Sequence, residues 1–150
     1  MSDLITATMV DLDLPAGDKA AVTAHLADLL VAAGRVTDRE TFLADVRARE
    51  QLMPTGLEGG IGIPHARSSA VTEPTVAFGR STDGVDFGAS DGPARLVFLI
   101  AAPAEGDGDH LAVLAALARR LVHESFREAL LNADAPDQVV ELFRREVVVK

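Results

Sequence analysis

Leu96 to Pro103 (Leu-Val-Phe-Leu-Ile-Ala-Ala-Pro) is the longest apolar run in the chain, and it has the length of one buried strand. It falls far short of the ~20 apolar residues that a membrane-spanning helix needs. A second strand-like segment, Thr75-Val76-Ala77-Phe78-Gly79-Arg80, precedes it. Between the two, Asp83-Gly84 and Asp91-Gly92 mark turns around a short Gly84-Val85-Asp86-Phe87 segment. Residues 4–14 alternate loosely and predict a first strand or extended entry. Helical patterns surround these segments. From Asp18 to Ala33 the apolar positions Val22, Leu26, Leu29, Leu30 and Ala33 follow helical spacing, with Gly34 as the stop. Thr37 and Glu40 form a capping-box pair for a second helix, whose buried stripe is Phe42, Leu43 and Val46 and whose end lies near Leu52, before Pro54. A third helix begins near His110, with the stripe Leu111, Leu114, Leu117, Ala118 and Leu121. A fourth is predicted over 124–132 and a fifth over 136–144, where Pro136 takes a first helical position at no hydrogen-bond cost. Helices before, between and after strands, in 150 residues without repeat or linker, predict one α/β domain with helices on both faces of a sheet.

Charge and residue usage remove several functional classes. The formal net charge is -9 and the Lys and Arg residues are scattered, which argues against a nucleic-acid partner. There is no cysteine, so disulfides, thiolate metal sites and a cysteine nucleophile are excluded. Met1-Ser2-Asp3-Leu4 lacks the basic start and apolar run of a signal peptide, so a cytoplasmic protein with no direct membrane insertion is expected.

Four histidines are candidates for chemistry. His25 lies near the buried stripe of the first helix and reads as a flank residue tied to a backbone group. His123 sits at a helix junction and reads as structural or exposed. His65 is different, because it follows Gly59-Gly60-Ile61-Gly62-Ile63-Pro64. Glycines permit close approach of another body, and proline fixes φ and removes a donor. The pattern predicts a short strand ending at a rigidly presented His65. His110 continues the third helix's stripe and falls at the helix N-terminus, where the dipole disfavours imidazolium and favours a bound anion. It reads either as a hydrogen-bonding partner of a second imidazole or a phosphoryl oxygen, or as a satisfied core histidine. Arg49, seven residues after Phe42, places a guanidinium on the inward face of the second helix. A structural ion pair with Glu50, Glu58 or Asp109 and a phosphate clamp fit that position equally well.

Together, His65, His110 and Arg49 suggest a site for an anionic group. No Gly-rich loop ends in Gly-Lys-Ser/Thr, and no kinase motif set is present, so a phosphoryl group would arrive from another phosphorylated protein. The rival reading is a metal. Glu105-Gly106-Asp107-Gly108-Asp109-His110 has acidic alternation, but neither register supplies the glycine and glutamate of a calcium loop. A zinc site from His65, His110 and a carboxylate lacks helical His spacing. No metal or cofactor is called for.

The run Arg49-Glu50-Gln51-Leu52-Met53-Pro54-Thr55-Gly56, followed by Gly60-Ile61-Gly62-Ile63-Pro64-His65, resembles the active-site pattern of enzyme IIA domains of the fructose–mannitol class. These belong to the phosphoenolpyruvate-dependent sugar phosphotransferase system. The resemblance continues through Glu73 to Phe78, Gly84 to Phe87, Leu96 to Ala101, and His110-Leu111 with Leu114, Leu117 and Ala118. It spans nearly the whole chain and implies one domain over 1–150, with a mixed, mostly parallel sheet flanked by helices. It implies that His65 is the phosphorylated histidine, with the distal Nε2 attacking, and that His110 and Arg49 support it. It implies HPr as phosphodonor and enzyme IIB as acceptor, in some cases fused with a membrane enzyme IIC. Glu73-Pro74 and the Gly84–Phe87 stretch are closer to fructose-type members, whereas Ala66-Arg67-Ser68 departs from their usual Gly-Lys. The alternative is a regulatory, nitrogen-related enzyme IIA acting through phosphorylation-dependent protein binding.

Overall fold

The computed structural model describes residues 4–105 and 109–147, the side chains of 109–111 excepted. After a 3₁₀ turn at Ala7–Met9 come β1 (Val10–Asp11), α1 (Lys19–Ala32), α2 (Arg39–Leu52), β2 (Gly56–Leu57), β3 (Ile61–Gly62) and β4 (His65–Ser68). Then follow β5 (Thr75–Val85), β6 (Ala94–Pro103), α3 (Asp109–Leu121), α4 (Glu124–Leu131) and α5 (Pro136–Glu146). Among the described residues the strands form one sheet in the order β1-β5-β6-β3-β2, with β4 also on β6. Pairings β1/β5, β3/β6 and β4/β6 are parallel, while β5/β6 and β2/β3 are antiparallel. The sheet is mixed, as expected, and its longest pairing is the antiparallel one at the centre.

β5 and β6 are central because they are apolar on both sides. Thr75 to Gly79 and Leu96 to Ala102 are buried residue after residue, a pattern that requires cover on both faces of the sheet. On one face Phe78 pairs across the strands with Phe98, ring centroids 5.0 Å apart. Phe143 of α5 meets Phe98 at 6.2 Å, and Phe126 of α4 meets Phe143 at 6.4 Å. Such tilted pairs contribute about 0.5–1.5 kcal/mol beyond the area they bury. Arg80 ties the end of α4 to the sheet. Its Nη1 donates to the carbonyls of Leu130, Leu131 and Ala133, and its Nε to that of Leu12. A cation belongs at a helix C-terminus, where carbonyls lack intrahelical partners.

Several expectations are corrected. Only Val10–Asp11 of residues 4–14 is a strand, because the backbone turns at Ala7–Met9; Leu4 and Leu14 still reach β5, Val76 N donating to Leu4 O and Leu14 N to Arg80 O. The second helix is capped by Asp38, not by a Thr37–Glu40 box. Asp38 accepts from the backbone N–H and the hydroxyl of Thr41, whereas Thr37 is engaged with Ala70 O and Glu40 with Arg39. Those hydrogen bonds hold the Asp38 carboxyl below the usual carboxylate range. On α2 the buried line is Phe42, Val46 and Glu50, a strict four-residue step that leaves Leu43 and Arg49 half-buried beside it. On α3 it is Val113, Ala116, Leu117 and Leu121; Leu114 is half-buried and Ala118 exposed, while the Leu111 side chain lies outside the described residues. The fourth helix ends one residue early, at Leu131, and the fifth runs to Glu146. No helix among the described residues is long and apolar enough to cross a membrane.

Candidate active site

β3 and β4 are two pieces of one strand. Ile61 pairs with Leu96, Gly62 with Val97, His65 with Ile100 and Ala66 with Ala101, the same 35-residue offset throughout. The interruption falls at Ile63-Pro64. Pro64 has no N–H to give the ladder, although its carbonyl still accepts from Ile100 N at 3.0 Å. The Ile63 N–H donates to Thr55 O, 3.2 Å distant, continuing the antiparallel register of β2 on β3. His65 thus opens β4 instead of ending β3, which corrects the sequence expectation. The approach is set by the β2–β3 turn, where Gly59 and Gly60 have φ of +99° and +76°, angles that a side chain would strain.

The His65 ring takes the Ile63 carbonyl, which the β6 register leaves unpaired: Nδ1 lies 2.9 Å from Ile63 O. A carbonyl can only accept, so Nδ1 carries the proton and Nε2 presents its lone pair. His65 is 8% exposed. Burial pushes the imidazole below its ordinary value; the Ile63 hydrogen bond opposes this, Arg49 adds to it, and the Glu50 carboxylate opposes it. The net result is a neutral ring at pH 7 with a defined tautomer.

Arg49 sits in the last turn of α2, close enough for its charge to act on His65. Its Nη1 donates to Met53 O at 3.1 Å, and among the described residues it has no carboxylate partner. The neighbouring Glu50, considered above as its counterion, is committed elsewhere. Glu50 Oε2 accepts from Thr55 N at 2.8 Å and Oε1 from Thr55 Oγ1 at 2.7 Å. Lys19 of α1 reaches Oε2 at 3.3 Å, with its ammonium 6.0 Å from the Phe87 ring centroid. A guanidinium without a carboxylate partner among the described residues, beside a neutral imidazole, is suited to an anion that spans both.

The backbone of His110 lies in the first turn of α3, while its side chain lies outside the described residues, as do residues 106–108 of the acidic loop and the Asp109 side chain. His25 is held by a carboxylate and not by the backbone: its Nε2 is 2.6 Å from Asp11 Oδ2. His123 occupies the N-cap of α4, exposed and without a side-chain capping bond. Among the described residues no group of three His, Cys, Asp or Glu side chains is placed to hold a metal. The residues missed in the sequence are Glu50 as a buried acceptor, Thr55 and Lys19. The step Phe42, Val46, Glu50 is the signal that would have found the first.

Large apolar side chains stand in solvent around the same loop. Leu52 is 82% exposed and Met53 65%, with Leu57 also open. They flank the segment that links Arg49 to the His65 strand.

A sequence profile for the phosphoenolpyruvate-dependent sugar phosphotransferase system, EIIA 2, matches residues 3–146. The fructose-specific EIIA component of Haloferax volcanii is 44% identical over 98% of both chains. The nitrogen regulatory protein IIA-Ntr of Neisseria meningitidis superposes with a TM-score of 0.80 at 32% identity, covering 93% of this chain and 95% of that one. Enzyme IIA mannitol of Escherichia coli, solved in complex with phosphorylated enzyme IIB mannitol, superposes with a TM-score of 0.80 at 30% identity, covering 95% and 99%. The chain therefore belongs to the EIIA type-2 family of the phosphoenolpyruvate-dependent sugar phosphotransferase system.

Proposed function

We propose that this chain is the phosphocarrier of a fructose system in the cytoplasm, accepting a phosphoryl group from HPr on His65 Nε2 and passing it to an enzyme IIB. The observation that carries the reading is the Nδ1–H donated to Ile63 O, 2.9 Å away, which leaves Nε2 as a bare nucleophile beside Arg49. The fructose assignment follows the Haloferax relative, and the IIB partner follows the mannitol complex.

In this scheme the Nε2 lone pair attacks the donor's phosphorus in line. The donor's P–N bond breaks, and its electron pair stays on the donor ring. Nδ1 keeps its proton throughout, so phosphorylated His65 is an imidazolium whose charge draws electrons from the new P–N bond. When a nucleophile of IIB attacks, His65 departs as neutral imidazole with no further proton transfer. Arg49 offsets charge on the phosphoryl oxygens, and His110 supplies a further hydrogen bond. Phosphoryl transfer leaves the protein mainly positioning and charge stabilisation, and the site is built for those two tasks. Leu52, Met53 and Leu57 supply the apolar contact that docking of both partners needs.

The test is reconstitution with phosphoenolpyruvate, enzyme I and HPr. The wild type takes up acid-labile, alkali-stable phosphate and His65→Ala takes up none. Label persisting on another residue refutes the assignment. The 0.80 TM-score to the nitrogen regulatory protein supports a second reading, in which the same phosphohistidine controls protein binding. Sugar phosphorylation after addition of the cognate IIB and IIC separates carrier from regulator.

A further inference from the structure

We propose that Glu50 is a positioning residue for His65, acting through Thr55 and Ile63 to hold the ring in its nucleophilic tautomer. The inference rests on the phosphocarrier reading for its consequence, though not for its geometry. A continuous hydrogen-bond chain connects the two side chains. The Glu50 carboxylate takes both Thr55 donors, N–H at 2.8 Å and hydroxyl at 2.7 Å. The Thr55 carbonyl takes the Ile63 N–H at 3.2 Å, and the Ile63 carbonyl takes His65 Nδ1 at 2.9 Å.

Two features make the carboxylate more than a buried ornament of the helix. First, Glu50 is the only acidic side chain among the buried polar residues described, and burial of a carboxylate is costly unless its oxygens are satisfied. Here both oxygens are used, and they are spent on one residue of the loop that leads to His65. Second, Thr55 and Ile63 sit at the one place where the His65 strand leaves the ladder. β6 holds the residues on either side of Ile63, Pro64 O accepting from Ile100 N, while the Ile63 N–H itself is held by Thr55 O; Thr55 is held in turn by the Glu50 carboxylate and by the Gly56 N–H bond to Phe87 O. Lys19, on α1, reaches Oε2, the oxygen that also takes the Thr55 N–H, at 3.3 Å and so ties the assembly to a second helix. Releasing Glu50 therefore loosens Thr55 and, through the Thr55 O bond to the Ile63 N–H, the carbonyl that selects the Nδ1–H form.

The test uses the full chain and two readouts, the ¹⁵N resonances of the His65 ring and the rate of phosphorylation by phospho-HPr. Wild type is expected to show Nδ1 as the protonated nitrogen and Nε2 as the bare one. Glu50→Ala is expected to show averaged tautomers and a rate at least about tenfold slower, the scale of a misplaced reacting group. Glu50→Gln keeps the geometry without the charge, its amide oxygen accepting the Thr55 N–H and its NH₂ donating to Thr55 Oγ1. It is expected to retain the tautomer and a rate within about threefold of wild type. Should Glu50→Ala not fold, Thr55→Val removes one of the two bonds and is expected to shift both readouts in the same direction. A wild-type tautomer and rate in Glu50→Ala, or in Thr55→Val in its place, overturns the proposal. So does a Glu50→Gln variant as slow as Glu50→Ala with its tautomer intact, since charge alone would then be responsible. If wild type takes no phosphate at all, the phosphocarrier reading fails while the resonances still decide whether Glu50 sets the ring.

Discussion

Gly62→Ala is the substitution whose outcome the packing fixes most closely. Gly62 lies in β3, three residues before His65 in the same strand register. A Cβ built there meets the Phe87 ring, with Cδ2 at 2.6 Å, Cγ at 2.8 Å and Cε2 at 3.0 Å. Phe87 is 0% exposed, so the ring has no open space into which to swing. Restoring ordinary contact means opening the closest approach from 2.6 Å to about 3.4 Å, a shift of about 0.8 Å shared between β3 and the ring. Overpacking of this kind costs about 1–3 kcal/mol. For a domain of this size that lowers Tm by roughly 2–12 °C. The strand's share of that displacement, about half an ångström where it presents His65, should slow phosphorylation by roughly tenfold. The assay is a double-mutant cycle in urea with Phe87→Ala, which deletes every clashing atom. Phe87→Ala alone should cost about 3–5 kcal/mol through its cavity. The pair should cost no more than Phe87→Ala by itself, giving a coupling of about 1–3 kcal/mol. Strict additivity, or a Gly62→Ala variant with wild-type midpoint and rate, refutes the reasoning.

Arg49→Gln should leave the fold within about 1 kcal/mol of wild type, because only the bond to Met53 O is lost. Phosphorylation of His65 should fall by about 100-fold or more, the scale for losing one donor to a transition-state oxyanion, and the His65 titration midpoint should rise; an unchanged rate with an unchanged midpoint removes Arg49 from the site. His65 should also give the phosphorylation rate an acid limb below the ordinary histidine value of 6.5, since burial keeps the ring neutral until lower pH. The stability linkage has the same direction: between the lowered folded value and 6.5 the unfolded chain binds the proton and the folded chain does not, so stability rises with pH across that window and is flat above it. A His65 titration by NMR at or above 6.5 overturns both statements.

The chain's own order of residues made the α/β class legible, because apolar runs of strand length alternate with helical stripes, and local periodicity survives any tertiary arrangement. Residue type also singled out His65 and Arg49, since Gly-Gly-Ile-Gly-Ile-Pro before a histidine and a guanidinium on an inward helix face are local features. Local pattern misled where the deciding partner was distant. Thr37 and Glu40 have capping-box spacing, but Ala70 O, 33 residues on, claimed Thr37 and Asp38 took the cap. Arg49 and Glu50 are adjacent, and which of them is buried depended on the phase set by Phe42 and Val46 against the core. The break at Ile63-Pro64 was visible as a proline; that His65 lies beyond it, in unbroken register with β6, was not. Nor was the tautomer. It depends on the Ile63 carbonyl, in a strand tied to Thr55, which Glu50 helps to hold; Glu50 in turn takes Lys19 across a 31-residue separation. Sequence determined which groups were available, because residue identity and short-range spacing are local; the fold alone decided which nitrogen is bare, because hydrogen bonds between distant segments exist only once those segments have met.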